Sequence, residues 1–248
     1  MDDSQKSNES HNMRIYNQKK LGVLGGMGPA STVEFLRLLV NKAPAEMDQQ
    51  HPTIYLLSDP QIPDRSKAIF GNGENPSEKI RSGLQKLISI GSDLLTVPCN
   101  TAHYFIDMFP EELPIPLIHI VKETIELSKL KAPNGCWLIS SIGTRNCGLY
   151  QKYAMESDYQ VFIPDDHVAE MVHSVAESIK AGKLNEAKKL VISVIQALQE
   201  IKEIPFMVAC TEFPLAYDAL EELPKENIIS CLDALSDACI RELYKKNI

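Results

Sequence analysis

Two cysteines carry the chemistry this sequence offers. Cys99 lies in Val97-Pro98-Cys99-Asn100-Thr101-Ala102-His103, and Cys210 in Val208-Ala209-Cys210-Thr211-Glu212. Each follows a short apolar run, opens a stretch of helical pattern and is followed at once by small polar residues. They stand 111 positions apart, 210 minus 99. A thiolate is a base and its thiol is an acid, so two in one cleft can remove a proton from one face of a carbon and return one to the other. A free thiol with a pKa near 8.5 is only about 3% ionised at pH 7, so a resting base needs that value lowered. The positive end of a helix start supplies such a field. One cysteine in this setting reads equally well as a small core residue; two in matching settings favour a site.

Other candidates are weaker alone. Gly25-Gly26-Met27-Gly28-Pro29 follows a strand-like run and precedes a helical one. It fits neither the dinucleotide pattern nor the P-loop, and reads as close backbone approach to a small anion at a helix start. Arg65, in Gln61-Ile62-Pro63-Asp64-Arg65-Ser66, sits where proline argues against a regular element; an arginine there can clamp a carboxylate or be a solvated charge. Lys180 ends a helical stretch before Gly182, and by residue type reads as a cation offsetting the helix dipole. His103 falls four past Cys99 on one helix face, a conceivable Cys–His pair that lacks an orienting third group. His119 reads as a satisfied core histidine. Asp165-Asp166-His167 reads as helix capping rather than a metal site.

The elements that must position these residues alternate. Apolar runs at 20–24, 53–58, 93–98, 116–120, 135–140, 159–163, 205–209 and 227–231 predict strands. Helical patterns fall at 30–43, 76–90, 100–109, 121–130, 145–156, 166–180, 184–201, 212–221 and 232–245. Continuous apolar strands between helices predict parallel sheets covered on both faces. The strand-and-turn at Leu21–Gly28 is matched by that at Trp137–Thr144. This predicts an α/β fold of two pseudo-symmetric lobes, each a mostly parallel sheet flanked by helices, with the site in the cleft between. A single doubly wound sheet is the alternative. The expected division is a disordered polar tail at 1–19, a first lobe of 20–115 plus 213–248, and a second lobe of 116–212.

Composition narrows the classes. The 248 residues carry a net charge of -8 without a clustered basic stripe, which argues against nucleic-acid binding. No apolar run is long enough to span a membrane, and residues 1–20 lack an export core. Six cysteines without a CxxC pair suggest free thiols in a reducing cytoplasm and no metal site.

Taken together, Leu24-Gly25-Gly26-Met27-Gly28-Pro29, Pro60-Gln61-Ile62-Pro63-Asp64-Arg65, Pro98-Cys99-Asn100-Thr101-Ala102-His103, Ile179-Lys180-Ala181-Gly182 and Cys210-Thr211-Glu212 resemble the aspartate/glutamate racemase family. The resemblance runs from about Leu21 to the C-terminal helix and is nearer to aspartate racemase-like members. It implies a cofactor-independent amino-acid racemase acting on aspartate, and on glutamate as the alternative, as a cytoplasmic homodimer. It assigns the acid/base roles to Cys99 and Cys210 and the substrate carboxylates to Arg65 and Lys180. Met27, Asn100, Thr101, Ala102, Thr144, Thr211 and Glu212 would line the site. The sequence departs from the family at Ser141 and at Cys147, which stand where threonine and serine are usual, and Phe213 brings a ring where smaller residues are common. A related isomerase or decarboxylase acting on another diacid, or a silent dicarboxylate-binding protein, remains open at this level.

Overall fold

Unbroken apolar runs tolerate burial on both faces, and here they form strands covered by helices on each side. The computed structural model describes residues 19–109, 113–217 and 225–245. One four-stranded sheet holds β1 (Leu21–Gly25), β2 (Ile54–Ser58), β3 (Leu94–Thr96) and β4 (Leu117–Ile118) in the order β2-β1-β3-β4. A second holds β5 (Cys136–Ser140), β6 (Val161–Phe162), β7 (Phe206–Ala209) and β8 (Ile228–Ser230) in the order β6-β5-β7-β8. All pairings are parallel, with Leu21 level with Ile54 and Leu94, and Trp137 level with Phe206. The strand order is the same in both sheets, so β1 corresponds to β5 and β3 to β7.

The helices are α1 (Pro29–Lys42), α2 (Arg65–Ile69), α3 (Ser77–Ser89), α4 (Ala102–Ile106), α5 (Ile120–Lys131), α6 (Ile142–Asn146), α7 (Leu149–Glu156), α8 (Asp166–Lys180), α9 (Leu184–Ile201), α10 (Phe213–Tyr217) and α11 (Cys231–Leu243). Their starts are written locally. Pro29 occupies the first turn of α1, where its missing N–H costs nothing. Asp64, Ser141, Asp165 and Ser230 each accept a hydrogen bond from the backbone N–H three residues on; such a cap is worth about 1 kcal/mol. Gly182, at φ 73°, stops the chain just beyond α8.

Three apolar layers hold these elements. Ile80, Leu84 and Leu87 of α3 pack with Leu24 and Leu95 of the first sheet. Val168 and Val172 of α8 and Val191 and Ile195 of α9 pack with Ile139 and Val208 of the second. The third layer touches both sheets: Phe35 and Leu39 of α1, Ile125 of α5 and Leu235 of α11 join Val23 and Leu138. Truncating Leu235 to alanine there would cost about 2–5 kcal/mol. This shared layer fixes the lobes against each other.

Several expectations are corrected. Leu117–Ile118 pairs with β3 and Ile228–Ser230 with β7, so the fourth strand of each sheet lies on the other side of the expected division at 116 and 213. α11 nevertheless packs against α1 and α5. The expected helix 145–156 is broken where Gly148 takes φ 67°. The loop expected at 61–66 instead delivers α2, because Asp64 caps it. The tail 1–18 and residues 218–221 lie outside the described residues.

Candidate active site

Cys99 follows β3 by a short turn, and Cys210 directly follows β7, the corresponding strand of the second sheet. Both thiols are buried, and both line one cavity of about 300 Å³ between the lobes. The carboxyl ends of parallel strands are where open α/β sheets bind ligands. Met27, Arg65, Asn100 and Thr101 line the cavity from the first lobe, and Lys180, Thr211 and Glu212 from the second. Ala102 and Thr144, expected at the site, do not reach the cavity wall. Ala102 is the fully buried first residue of α4. Thr144 stands behind Thr101, with 2.7 Å between their hydroxyl oxygens, and accepts a hydrogen bond from the Ser141 hydroxyl at 3.0 Å.

The first-lobe wall is anchored by backbone carbonyls. Arg65 donates from Nη1 to the carbonyls of Ile62 and Pro63 at 3.1 and 3.0 Å, and from Nη2 to that of Met27 at 3.4 Å. The glycine turn is tight for a physical reason: Gly26 has φ 92°, and an added Cβ would lie 2.5 Å from the Asp59 carbonyl carbon. A Cβ on Gly28 would come within 3.3 Å of Glu212 Oε1, so this turn abuts the second lobe. Asn100 is fixed from behind: Tyr150 donates to its Oδ1 at 2.7 Å, and its Nδ2 donates to Cys231 Sγ at 3.2 Å. On the opposite wall the Glu212 carboxyl accepts from the Thr211 hydroxyl at 3.1 Å and from the Cys210 thiol at 3.7 Å.

A family model described as Asp/Glu/Hydantoin racemase matches residues 24–239 of this chain. The chain belongs to that family. It is 27% identical over 220 residues to the broad specificity amino-acid racemase RacX of Bacillus subtilis, covering 86% of this chain and 94% of RacX. It is 30% identical over 215 residues to the glutamate racemase of Persephonella marina, covering 82% of this chain and 76% of that one. Among solved structures, the aspartate racemase of Picrophilus torridus superposes with a TM-score of 0.80 at 29% identity, over 92% of this chain and 95% of that one. Glutamate racemase RacE1 of Bacillus anthracis, at 19% identity, shares the fold with a TM-score of 0.67 over 94% of this chain and 84% of that one. This protein is an amino-acid racemase, an isomerase.

The racemase's thiols are not poised as their places near helix starts suggested. Burial pushes Cys99 above the ordinary cysteine range; the Arg65 charge and the Ala102 N–H oppose that, and Glu212 adds to it. Burial likewise raises Cys210, reinforced by Glu212 and opposed by the N–H groups of Glu212 and Phe213. The backbone amides act in the expected direction, but desolvation outweighs them. Lys180, on the rim and 46% exposed, pairs with Glu177 at 3.1 Å. Burial would lower its pKa, yet Glu177, Glu212 and Asp64 together hold it above the ordinary lysine value. For Asp64, burial pulls upward, while the Lys67 N–H, Arg65 and Lys180 hold the carboxyl below its usual range.

Sequence reasoning missed part of the wall. Asp64, Ser66, Lys67 and Phe70 enter the cavity from α2 and its flanks, and Ser141 and Ile142 from the start of α6. His173, Ala176 and Glu177 line it from α8 together with Lys180. Positions 173, 176, 177 and 180 follow helical spacing, so stepping back from Lys180 along its own face would have found them. His103 and His119 lie outside the cavity lining; the His103 ring bonds the Cys99 carbonyl rather than its thiol. Among the described residues no group of three or more His, Cys, Asp or Glu is placed to hold a metal ion, and no helix is long and apolar enough to cross a membrane.

Proposed function

We propose that this racemase interconverts the enantiomers of an acidic amino acid, aspartate or glutamate, by two-base chemistry on Cys99 and Cys210 without a cofactor. One observation carries the reading: the two thiols issue from corresponding strands of two like-ordered sheets and line the same cavity. Arg65 and Lys180 stand on opposite lobes, suited to the two carboxylates of such a substrate. A substrate held there presents its α-carbon between the thiols.

The α-proton is a very weak acid, so the carbanion formed on its removal needs electrostatic support as charge spreads onto the carboxylate. The guanidinium and ammonium supply it, with the Asn100 amide as a further donor. Cys99 is the better placed resting base, since Arg65 favours its thiolate while Glu212 keeps the proton on Cys210. The Cys99 thiolate takes the proton from one face, and the Cys210 thiol delivers its own to the other. The sulfurs then stand in exchanged protonation states, and the reverse reaction runs with the roles exchanged. The family resemblance further supports a homodimer, which light scattering would check.

The test is proton NMR in D2O with reduced protein and L-aspartate or, separately, L-glutamate. Loss of the α-proton signal together with the D-form on chiral chromatography is expected for one or both substrates. Prior treatment with EDTA and hydroxylamine should leave the rate unchanged. No exchange with either amino acid, or a rate lost on that treatment, would contradict the proposal.

A further inference from the structure

His103 is wholly buried, yet it takes no part in the chemistry described above. Its Nδ1 lies 2.9 Å from the Cys99 carbonyl oxygen. A carbonyl only accepts, so Nδ1 must carry the hydrogen. Burial holds this imidazole well below the ordinary histidine pKa, with the neighbouring His119 acting in the same direction, so it stays neutral and its Nε2 carries no proton. That nitrogen is buried without a hydrogen-bond partner.

The His103 ring meets the His119 ring edge-on at 4.3 Å. His119 is fixed in turn. Its Nε2 lies 3.0 Å from Asp107 Oδ1, and its Nδ1 accepts the Lys122 backbone N–H at 3.5 Å, the cap of α5. Tyr153 donates to the other Asp107 oxygen at 2.8 Å, and its ring packs on that of His119 at 5.0 Å, tilted by 55°. Lys152 lies 3.7 Å from Asp107. Residues of α4, α5 and α7 thus form one packed block behind the turn that carries Cys99. Among the described residues nothing corresponding supports the second thiol. The Cys210 carbonyl accepts the Phe213 backbone N–H at 3.2 Å, and the residue four past Cys210 is Pro214.

We propose that His103 is a positioning residue for Cys99: its Nδ1–H holds the carbonyl of the turn that aims the thiol into the cavity, and the His119–Asp107–Tyr153 block holds the imidazole in place. The role rests on the reading of Cys99 as an acid/base. His103 touches neither the cavity nor the substrate, so its loss should act on the chemical step and leave binding alone.

The test compares His103→Asn, His103→Gln and His103→Leu in racemisation and in alkylation by iodoacetamide, with each modified cysteine identified by peptide mass spectrometry. An asparagine amide nitrogen stands at the same reach from Cβ as histidine Nδ1, whereas glutamine places its amide one methylene further out. We expect His103→Asn to keep kcat within about threefold, and the other two to lose about tenfold or more in kcat with KM unchanged. The Cys99 alkylation rate should shift in His103→Gln and His103→Leu while that of Cys210 stays put. Equal behaviour of Asn and Gln, an unchanged kcat, or parallel shifts at both cysteines would overturn the proposal. If the leucine variant fails to fold, the Asn and Gln pair still decides it. If the wild-type protein exchanges no α-proton, the functional reading fails, and the alkylation comparison still decides the positioning role.

Discussion

Cys99 and Cys210 occupy matching places in unlike surroundings. Arg65 favours a thiolate on the first and Glu212 disfavours one on the second, while burial raises both. On the proposed two-base mechanism the active form carries one thiolate and one thiol, so below the Cys99 pKa the thiolate is a minority and kcat/KM should rise about tenfold per pH unit. Arg65→Leu removes the influence that lowers Cys99. The rising, acid-side limb of its profile should therefore move to higher pH and its activity near neutrality should fall, whereas Arg65→Lys keeps the charge and should move that limb less. A kcat/KM profile that stays in place in Arg65→Leu would count against this asymmetry. At this scale the sequence was informative where residue type and local motif sufficed, as for the two thiols. For Lys180 residue type alone suited a helix cap and only the family resemblance pointed to the site, because only the folded cleft brings that lysine to the cavity wall. Desolvation of the thiols was also illegible, since it depends on what the fold packs around them.

Helix α2 shows how an element reaches the site. The prolines at 60 and 63 argue against a helix before Asp64, and the carboxyl of Asp64 then caps one that starts at Arg65. Reading prolines as breakers hid a helix that begins directly after them. This helix meets α6 across the lobes: a Cβ on Gly143 would clash with the Ser66 hydroxyl and lie 2.9 Å from the Ser66 Cα. Gly143→Ala should therefore push the two elements apart, at a cost of about 1–3 kcal/mol for overpacking. A lower melting temperature and a lower kcat are expected, with partial recovery on adding Ser66→Gly. An unchanged kcat in Gly143→Ala would show that this approach does not set the cleft. The glycine was visible in the sequence, but its neighbour, 77 positions away (143 minus 66), was not.

Two like-ordered sheets and a shared layer of helices make one molecule with the cavity at its waist. The two-lobe plan was legible because strand-and-turn patterns recur. The ownership of the fourth strands was not, since a short apolar run reads the same whichever sheet it joins. Buried thiols spread through both lobes give the whole fold a pH signature. Burial raises Cys99, Cys136, Cys210, Cys231 and Cys239, with Cys136 pushed up to about 11 and Cys231 to about 12. Their pKa values are higher in the folded chain than in the unfolded one, where thiols ionise near about 8.5. Above about pH 8.5 the native state therefore holds more protons than the unfolded one. Their contribution to stability is complete below about pH 8.5 and drains away above it, by up to about 1.4 kcal/mol per thiol per pH unit. In reducing buffer the melting temperature should fall between about pH 8.5 and 10, and a flat melting temperature across that window would contradict their burial. The proposed mechanism gives both thiols acid/base work. It is tested most directly by the racemisation rates of Cys99→Ala and Cys210→Ala, each checked for native melting. Each variant should lose racemisation by about a thousandfold or more; a Cys210→Ala variant that still racemises while Cys99→Ala does not would show a single base and contradict the two-base mechanism.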